Sequence, residues 1–496
     1  MDVNGRDSLD LVVVADLHYV GRAKRTCPIL ERNAHLGNEL LRRALRRLEL
    51  SSPPDVLVLM GDLVDDGEAP GAEEDLEALR EELEGLSFPV IVVPGNHDGD
   101  PDRLLSTFGD RPGVHEFEGY LLLTFVDWYD PQDRAERSGD GLKLVSDVAS
   151  SHPGVPIVAL QHNPVYPPIE STYPYNLTNF REVMKAYSES GVVLSISGHL
   201  HRGHELTYAD GVGYVVCPAL CEEPFRFLRI TLRGRDVSVR EEALKLPEEP
   251  SLVDVHVHTH YAYCASTVTT SGAMERAEKF GLSGIMFTEH AGQLYVSSED
   301  YWSGRFMEEP HLLRRYRNEG KDRMRVYRKE MEELRSSFVK LGLEVEIDRY
   351  GNLSLLEEDA DGWDLLVGAV HKLPQVHSKD EERGFMEVTE SLLKNGVRVL
   401  AHPFRFFRRN GMEVPRCLFR PIARLLKDYG VAAELNFHTN EPDPDFFETC
   451  LEEGVKVALG SDAHDLYEVG DFAPHLEFLR RLGLEGDDMK EVLFFP

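Results

Sequence analysis

A chain of 496 residues is too long for one ordinary core and suits two of about 250 residues each. Its content, 42% hydrophobic and 28% charged, is that of a globular protein, and no stretch approaches the ~20 apolar residues that cross a bilayer. The formal net charge of −33 coats the surface with acid and disfavours a nucleic-acid partner, whose backbone it repels. Met1 to Asp10 hold acids and one arginine, with no apolar run long enough for a secretory leader. Cys27, Cys217, Cys221, Cys264, Cys417 and Cys450 form no C-x-x-C pair. Both features point to a cytoplasmic protein in a reducing compartment. The acidic surface and the preference for Arg over Lys fit a cytosol of high ionic strength, and equally a bias in base composition.

In chain order, the first half reads as short apolar strands alternating with helices: Leu11–Ala15, Val56–Met60, Val90–Val93, Leu121–Val126, Ile157–Leu160 and Val192–Ser197. Leu36, Leu40, Leu41, Leu45 and Leu48 predict a helix over Ala34–Leu50. After Gly198 come longer strands with turns: His204–Tyr208, Gly213–Cys217, Phe225–Leu232 and Val237–Glu241. The stretch Ala243–Ser251, rich in proline and glutamate, reads as connecting chain. It sets a domain over 1–245, a linker over 246–251 and a second domain over 252–496.

The second domain repeats strand, loop and helix. Its strands are predicted at Leu252–His258, Gly284–Thr288, Glu344–Asp348, Leu365–Val370, Val397–Ala401, Val431–Asn436 and Val455–Leu459. This rhythm implies an α/β fold with a parallel sheet or closed barrel. A polar stretch from Ser297 to Lys340 interrupts it. Within that stretch Met324, Tyr327, Met331, Leu334 and Phe338 have helical spacing, which predicts packing on the barrel wall.

Ligand-type residues gather at the strand ends of the first domain. Asp16 and His18 stand two apart, so both side chains leave one face of the chain. Gly61-Asp62-Leu63-Val64-Asp65 follows the second strand and Gly95-Asn96-His97-Asp98 the third. His162 follows a later strand, and His199 and His201 the next. So many polar groups along one edge are costly unless they share a cation.

These residues resemble the calcineurin-like metallophosphoesterases over roughly Leu11 to Leu244, with the motifs in that family's order. The resemblance implies a four-layer α/β/β/α sandwich. It assigns Asp16, His18 and His201 to one metal, Asn96, His162 and His199 to a second, and Asp62 to the bridge between them. A bridging carboxylate holds two cations about 4 Å apart, where they activate a shared water. His97 is then the candidate acid for the leaving oxygen, oriented by Asp65 or Asp98.

In the second domain Asp254, His256 and His258 share one face of the first strand, and Glu289-His290, Glu346, His371, His402, Asp462 and His464 stand at later strand ends. Barrel enzymes keep their chemistry at that mouth. These residues look like the PHP (polymerase and histidinol phosphatase) family from about Leu252 onward, and Phe287–His290 and Gly460–His464 resemble its histidinol-phosphatase branch. The resemblance implies a distorted (β/α)7 barrel with up to three metals. His256, His258, Glu346 and Asp462 would hold the first, Glu346 would bridge to a second on His371 and His402, and His290 and His464 would hold a third. A further ligand is expected soon after His258; His260 and Cys264 are both available, and Cys264 has the better spacing. Glu289 stands where many members have Asp and need not be a ligand. Arg405, Lys372 and His438 are candidate substrate contacts; Asn436 also lies at a strand end.

The expected protein is a bifunctional metal-dependent phosphoester hydrolase, a phosphodiesterase and phosphatase acting on small phosphorylated metabolites or nucleotides through metal-activated hydroxide. Asp62, His97 and Glu346 are the expected catalytic residues. The cofactors are divalent transition metals, two in the first domain (Mn, Fe or Zn) and two or three in the second (Zn, Fe or Mn). A nuclease is the alternative within the class. The alternative outside it is a regulatory or structural PHP module beside one active phosphoesterase.

Overall fold

The computed structural model describes residues 8–21, 27–117, 119–375 and 380–496. Residues 1–7, part of the stretch in which no leader is expected, lie outside the described residues. The chain divides into two compact units, Met1–Lys245 and Leu246–Pro496. Among the described residues no helix is long and apolar enough to cross a membrane.

The strands of the first unit are β1 (Ser8–Val14), β2 (Val56–Leu59), β3 (Val90–Val92), β4 (Gly113–Phe117), β5 (Tyr120–Thr124), β6 (Trp128–Tyr129), β7 (Ala135–Glu136), β8 (Ile157–Leu160), β9 (Val192–Ser197), β10 (His204–Ala209), β11 (Val212–Val216), β12 (Arg226–Arg233) and β13 (Asp236–Ala243). One sheet runs β13-β12-β1-β2-β3 and the other β10-β11-β9-β8-β5-β4, with β6 and β7 as a separate pair. Side chains alternate along each strand, so one set meets the other sheet and one set meets helices. Leu9, Leu11, Val13, Val56 and Val58 pack against Leu122, Val158, Leu160, Leu194 and Ile196 between the sheets. On the outer face of the second sheet, Leu121 and Leu123 pack with Val145, Val148, Val183 and Tyr187 of the helices Gly139–Ser151 and Phe180–Glu189. Val12, Val14, Leu57 and Leu59 on the opposite face of the first sheet are buried as well. The helices Gly37–Ser51 and Ala72–Glu82 bury Leu40, Leu41, Leu48, Leu76 and Leu79, completing an α/β/β/α sandwich. The edge strand β4 and the β6–β7 pair are additions to the sequence reading; Gly113–Phe117 alternates between half-buried and exposed and lacks an apolar run.

The second unit holds β14 (Val253–Val257), β15 (Gly284–His290), β16 (Val339–Val345), β17 (Leu365–Gly368), β18 (Val399–Leu400), β19 (Ala432–Leu435) and β20 (Val457–Leu459). All seven lie side by side in sequence order, each parallel to the next. A parallel bridge from Val257 to Ala463, just past β20, closes the ring. Small and branched side chains fill the inside, including Val255, Val367, Ala369, Val399, Ala432 and Ala458. Met324, Tyr327 and Met331, on the helix Met324–Leu334, are fully buried on the outer wall, as their spacing predicts. That helix ends before Phe338, and β16 begins at Val339, five residues before the predicted start at Glu344. The shift matters for the site.

Candidate metal centres

In the first unit every candidate ligand stands just beyond a strand end, where the chain must turn sharply to aim its side chain inward. Asp16, His18, Asp62 and His199 have φ of 55°, 45°, 52° and 66°, a region that side chains other than glycine rarely occupy. Such strain persists only where surrounding structure imposes it, and it concentrates at functional sites. Gly95 is required by the same crowding, since a Cβ there would collide with the carboxylate and backbone nitrogen of Asp62.

Asp62 lies in the middle. Its Oδ2 is 3.2 Å from His162 Nε2 and 3.6 Å from His18 Nε2, while Oδ1 accepts from the His97 backbone N–H at 2.9 Å. On one side His18 and His201 approach Nε2 to Nε2 at 3.1 Å, and Asp16 Oδ1 is 3.8 Å from His201. On the other, His162 Nε2 is 3.1 Å from His199 Nδ1. The outward nitrogens are already engaged: His162 Nδ1 donates to the Met60 carbonyl at 2.7 Å, and His201 Nδ1 lies 2.6 Å from Glu222 Oε1. Anchors of this kind fix the ring so that the other nitrogen points inward. Asn96 Nδ2 donates to Asp133 at 3.1 Å; Asp133 also accepts from the Tyr173 hydroxyl, and the Tyr173 ring lies 5.5 Å from that of His199.

His97 is oriented by the backbone rather than by either predicted carboxylate: Nδ1 donates to the Asp65 carbonyl at 2.6 Å. The Asp65 side chain instead takes Arg32 at 2.9 Å and lies 3.4 Å from His18 Nδ1. Asp98 accepts the backbone N–H groups of Asp62, Leu63, Val64 and Gly95, which locks two ligand loops together. His97, Asp62, His199 and His201 open on a cavity of about 410 Å³ walled by Tyr173 and Tyr175.

In the second unit three central groups belong to strands: His256 on β14, His290 on β15 and Glu344 on β16. The acid among the imidazoles is Glu344, not Glu346. Glu344 Oε1 is 3.1 Å from His402 Nε2 and 3.4 Å from His371 Nε2. Its Oε2 lies against His290 Nδ1 and 3.8 Å from the Nε2 atoms of both His256 and His258. Glu346 sits one pleat further out, taking the Tyr301 hydroxyl at 2.8 Å and lying 3.3 Å from His371 Nδ1. The cause is the register of β16, which places Glu344 beside His290.

Asp462, at φ 54°, puts Oδ1 2.9 Å from His258 Nε2 and 3.6 Å from His256 Nε2. His258, His290 and His464 bring ring nitrogens together, and Cys264 Sγ lies 3.0 Å from His464 Nε2 and 3.6 Å from His290 Nε2. His260 is exposed and packs on Tyr261, so Cys264 is the residue of that pair beside the group. Glu289 accepts from Thr259 and lies 3.1 Å from His258 Nδ1, orienting that ring. Glu434, unnoticed in the sequence, lies 2.7 Å from His256 Nδ1 and accepts the His402 backbone N–H at 2.6 Å. A Cβ at Gly460 would strike this carboxylate. Asp254 supports the backbone, accepting from the N–H groups of Ser461 and Gly470 at 3.0 Å each.

The substrate candidates fare differently. Arg405 is buried, and its Nη2 donates to Asp462 at 2.6 Å, to Asn436 at 2.9 Å and to the His438 carbonyl, so it anchors a candidate ligand while its Nε has no hydrogen-bond partner among the described residues. Lys372 is exposed and donates to the Trp302 carbonyl, outside the group. His438 does reach it, stacking on His464 with centroids 4.5 Å apart.

Both sets of residues suit cations. Asn96 Oδ1, His199 Nε2 and His256 Nε2 are buried without a hydrogen-bond partner, a cost that a bound ion removes. Burial pushes the Asp62 carboxyl up, but His162 and His18 outweigh it and hold it well below its ordinary range. Glu344 behaves alike, with His290, His371 and His256 overcoming burial. At Asp462 the Arg405 guanidinium leads the opposition to burial. Asp16 is pushed up to about 6 and the Cys264 thiol up to about 12, chiefly by burial. Mixed imidazole and carboxylate donors are the ligand set of divalent transition metals.

Fold and site together define a metal-dependent phosphoester hydrolase. Residues 9–203 match the calcineurin-like phosphoesterase family and residues 254–438 match the PHP domain, so the chain joins a member of the one to a member of the other. Over 226 residues it is 28% identical to a probable cyclic nucleotide phosphodiesterase of Synechococcus sp., covering 43% of this chain and 80% of that one. It is 26% identical over 247 residues to a probable phosphatase of Thermoanaerobacter sp., covering 48% and 88%. A dimetal phosphatase from Danio rerio overlays 47% of this chain and 98% of its own at 18% identity, with a TM-score of 0.38.

Proposed function

We propose that the two centres are separate active sites, the first hydrolysing phosphodiesters of nucleotide size and the second phosphomonoesters. The observation that carries this reading is the placing of Asp62 and Glu344, each amid its own imidazoles in a unit with its own core. Asp16, His18, Asp62, Asn96, His162, His199 and His201 would hold two ions. Glu344, with His256, His258, His371, His402 and Asp462, would hold two more, and Cys264, His290 and His464 a third. The ions, with Mn, Fe and Zn as the expected elements, supply Lewis acidity and an activated water.

The rest of the work falls to the chain. In the first unit His97 carries the proton for the leaving oxygen; with Nδ1 tied to Asp65, Nε2 is the nitrogen left for substrate. Tyr173 and Tyr175 give the cavity an aromatic wall, and its volume falls within the range of small-ligand sites. The names of the relatives, phosphodiesterase and phosphatase, fit phosphoester hydrolysis of either kind. A cytoplasmic setting with small phosphorylated substrates completes the proposal.

The test is to assay diesters and monoesters on protein carrying Asp62→Asn or Glu344→Gln. Asp62→Asn should abolish diester cleavage and spare monoester cleavage, and Glu344→Gln the reverse. If either change silences both activities in folded protein, the centres are not separate. Elemental analysis of reconstituted protein should find about four to five ions per chain; two or fewer would remove one centre.

A further inference from the structure

Beside its acceptors and imidazoles, the second centre needs a cation to meet the outer oxygens of a phosphate. Arg405 is buried and gives Nη2 to Asp462, Asn436 and the His438 carbonyl, while its Nε has no hydrogen-bond partner among the described residues. Four residues on, along the same short helix Arg405–Arg409 and therefore on the same face, stands Arg409. It is exposed, and its Nη2 donates to Thr439 Oγ1 at 2.8 Å. Thr439, held at φ 44°, follows His438, whose ring stacks on that of His464 and whose Nδ1 lies 2.7 Å from Glu468. The hydroxyl that tethers Arg409 is thus one residue from the rim of the cluster. Burial and the Arg405 guanidinium lower the pKa of this group, while the carboxylates of Asp462 and Glu344 act in the opposite sense.

Arg409 also forms no ion pair among the described residues. Arg416, Arg420 and Arg424 hold Asp445, Glu452 and Glu453, whereas Arg408, like Arg409, has no carboxylate partner among these residues and reaches Asn440 at 3.4 Å. What sets Arg409 apart is its tether, one residue from the rim of the cluster, and a guanidinium fork so placed can take an anionic ligand through two hydrogen bonds.

We propose that Arg409 is the phosphate-binding residue of the second centre, its guanidinium taking two outer oxygens of a terminal phosphate whose remaining oxygens face the histidine–carboxylate cluster. The assignment rests on the reading of this centre as a phosphomonoesterase and adds a reason for that preference. A monoester has three non-bridging oxygens, enough to give two to the guanidinium and one to the cluster. A diester has two and cannot satisfy both.

The experiment uses full-length, metal-loaded protein carrying Asp62→Asn, which removes the first centre, with inorganic phosphate and 4-nitrophenyl phosphate as probes. Arg409→Ala should weaken phosphate binding, read by calorimetry, by about ten- to a hundred-fold, the loss of a charge-assisted pair. KM for the monoester should rise by a similar factor, with kcat changing less. Arg409→Lys should recover part of the loss, and Arg408→Ala, on a side chain that reaches Asn440 instead, should bind phosphate like the parent. Equal phosphate affinity in the Arg409→Ala protein and its parent overturns the assignment while leaving the phosphomonoesterase reading intact. A parent that neither binds phosphate nor cleaves the monoester overturns both.

Discussion

In the first unit the candidate ligands stand on loops beyond the ends of β1, β2, β3, β8 and β9; in the second, His256, His290 and Glu344 belong to strands. The cause is geometric. An open sandwich runs its strands nearly side by side, so side chains converge only where the backbone bends, and four ligand positions adopt left-handed conformations there. A closed barrel tilts its strands around one axis, and inward side chains meet without such turns. Only His402 and Asp462 among the second set have positive φ, at 28° and 54°. Support differs as well. Backbone carbonyls of Met60 and Asp65 hold two rings of the first centre, whereas buried carboxylates, Glu434 and Glu289, hold two of the second.

The largest expected effect separates two acids on that barrel. Glu344→Gln should lower monoester cleavage by about a thousand-fold or more and reduce the metal content of the second centre. Glu346→Gln, which touches the cluster through His371 and Tyr301, should cost about ten-fold and leave the metal content intact. Activity and elemental analysis on both variants decide the matter, and the reverse ranking would restore Glu346 as the central acid.

This pair also marks where reading the sequence fell short. Helical spacing through Phe338 drew the preceding helix too far and delayed the predicted strand. Yet Val339, Leu341, Leu343, Val345 and Ile347 alternate with polar or small residues, a strand signal that begins well before Glu344. Once that strand is fixed, Glu344 faces inward with its neighbour His290. The order of both folds was legible because apolar runs and ligand residues recur together. The supports were not: Glu222, Asp133 and Glu434 meet their histidine or asparagine partners across 21 to 178 residues, and no local pattern announces such pairs. Glu434 left one trace, as a lone acid inside an apolar strand.

A smaller effect tests the acid of the first centre. His97→Gln should slow cleavage of diesters with alkyl leaving groups by about a hundred-fold. Diesters that release nitrophenolate, which needs no proton, should suffer far less, and the second centre should be untouched. Equal losses on both kinds of diester would assign His97 to binding or loop structure.

Next come the carboxylates that aim the rings. Glu434→Gln should weaken metal retention by about ten- to a hundred-fold in chelator competition. Glu222→Gln should do less, because Glu222 is partly exposed and holds one ring, while Glu434 is fully buried and holds His256 and the His402 backbone. A larger loss for Glu222→Gln would break the contrast between a barrel centre braced by buried carboxylates and a loop-built one braced by a partly exposed carboxylate.

The smallest effect concerns the fusion itself. If the first centre opens a diester and the second strips the resulting monoester, Glu344→Gln protein should convert a suitable diester to monoester and stop there. Adding an equal amount of Asp62→Asn protein should carry that monoester on to free phosphate, since each chain retains one working centre. A small product diffuses quickly, so joining the centres in one chain raises its local concentration only modestly, and the mixture should lag the wild type by a factor of about three at most. The measurement is a time course of monoester and phosphate at equal total protein. No monoester from the Glu344→Gln protein, on a diester that the wild type degrades to phosphate, would end the serial scheme. A mixture that accumulates monoester without releasing phosphate would mean that the second centre acts only on product handed over within its own chain.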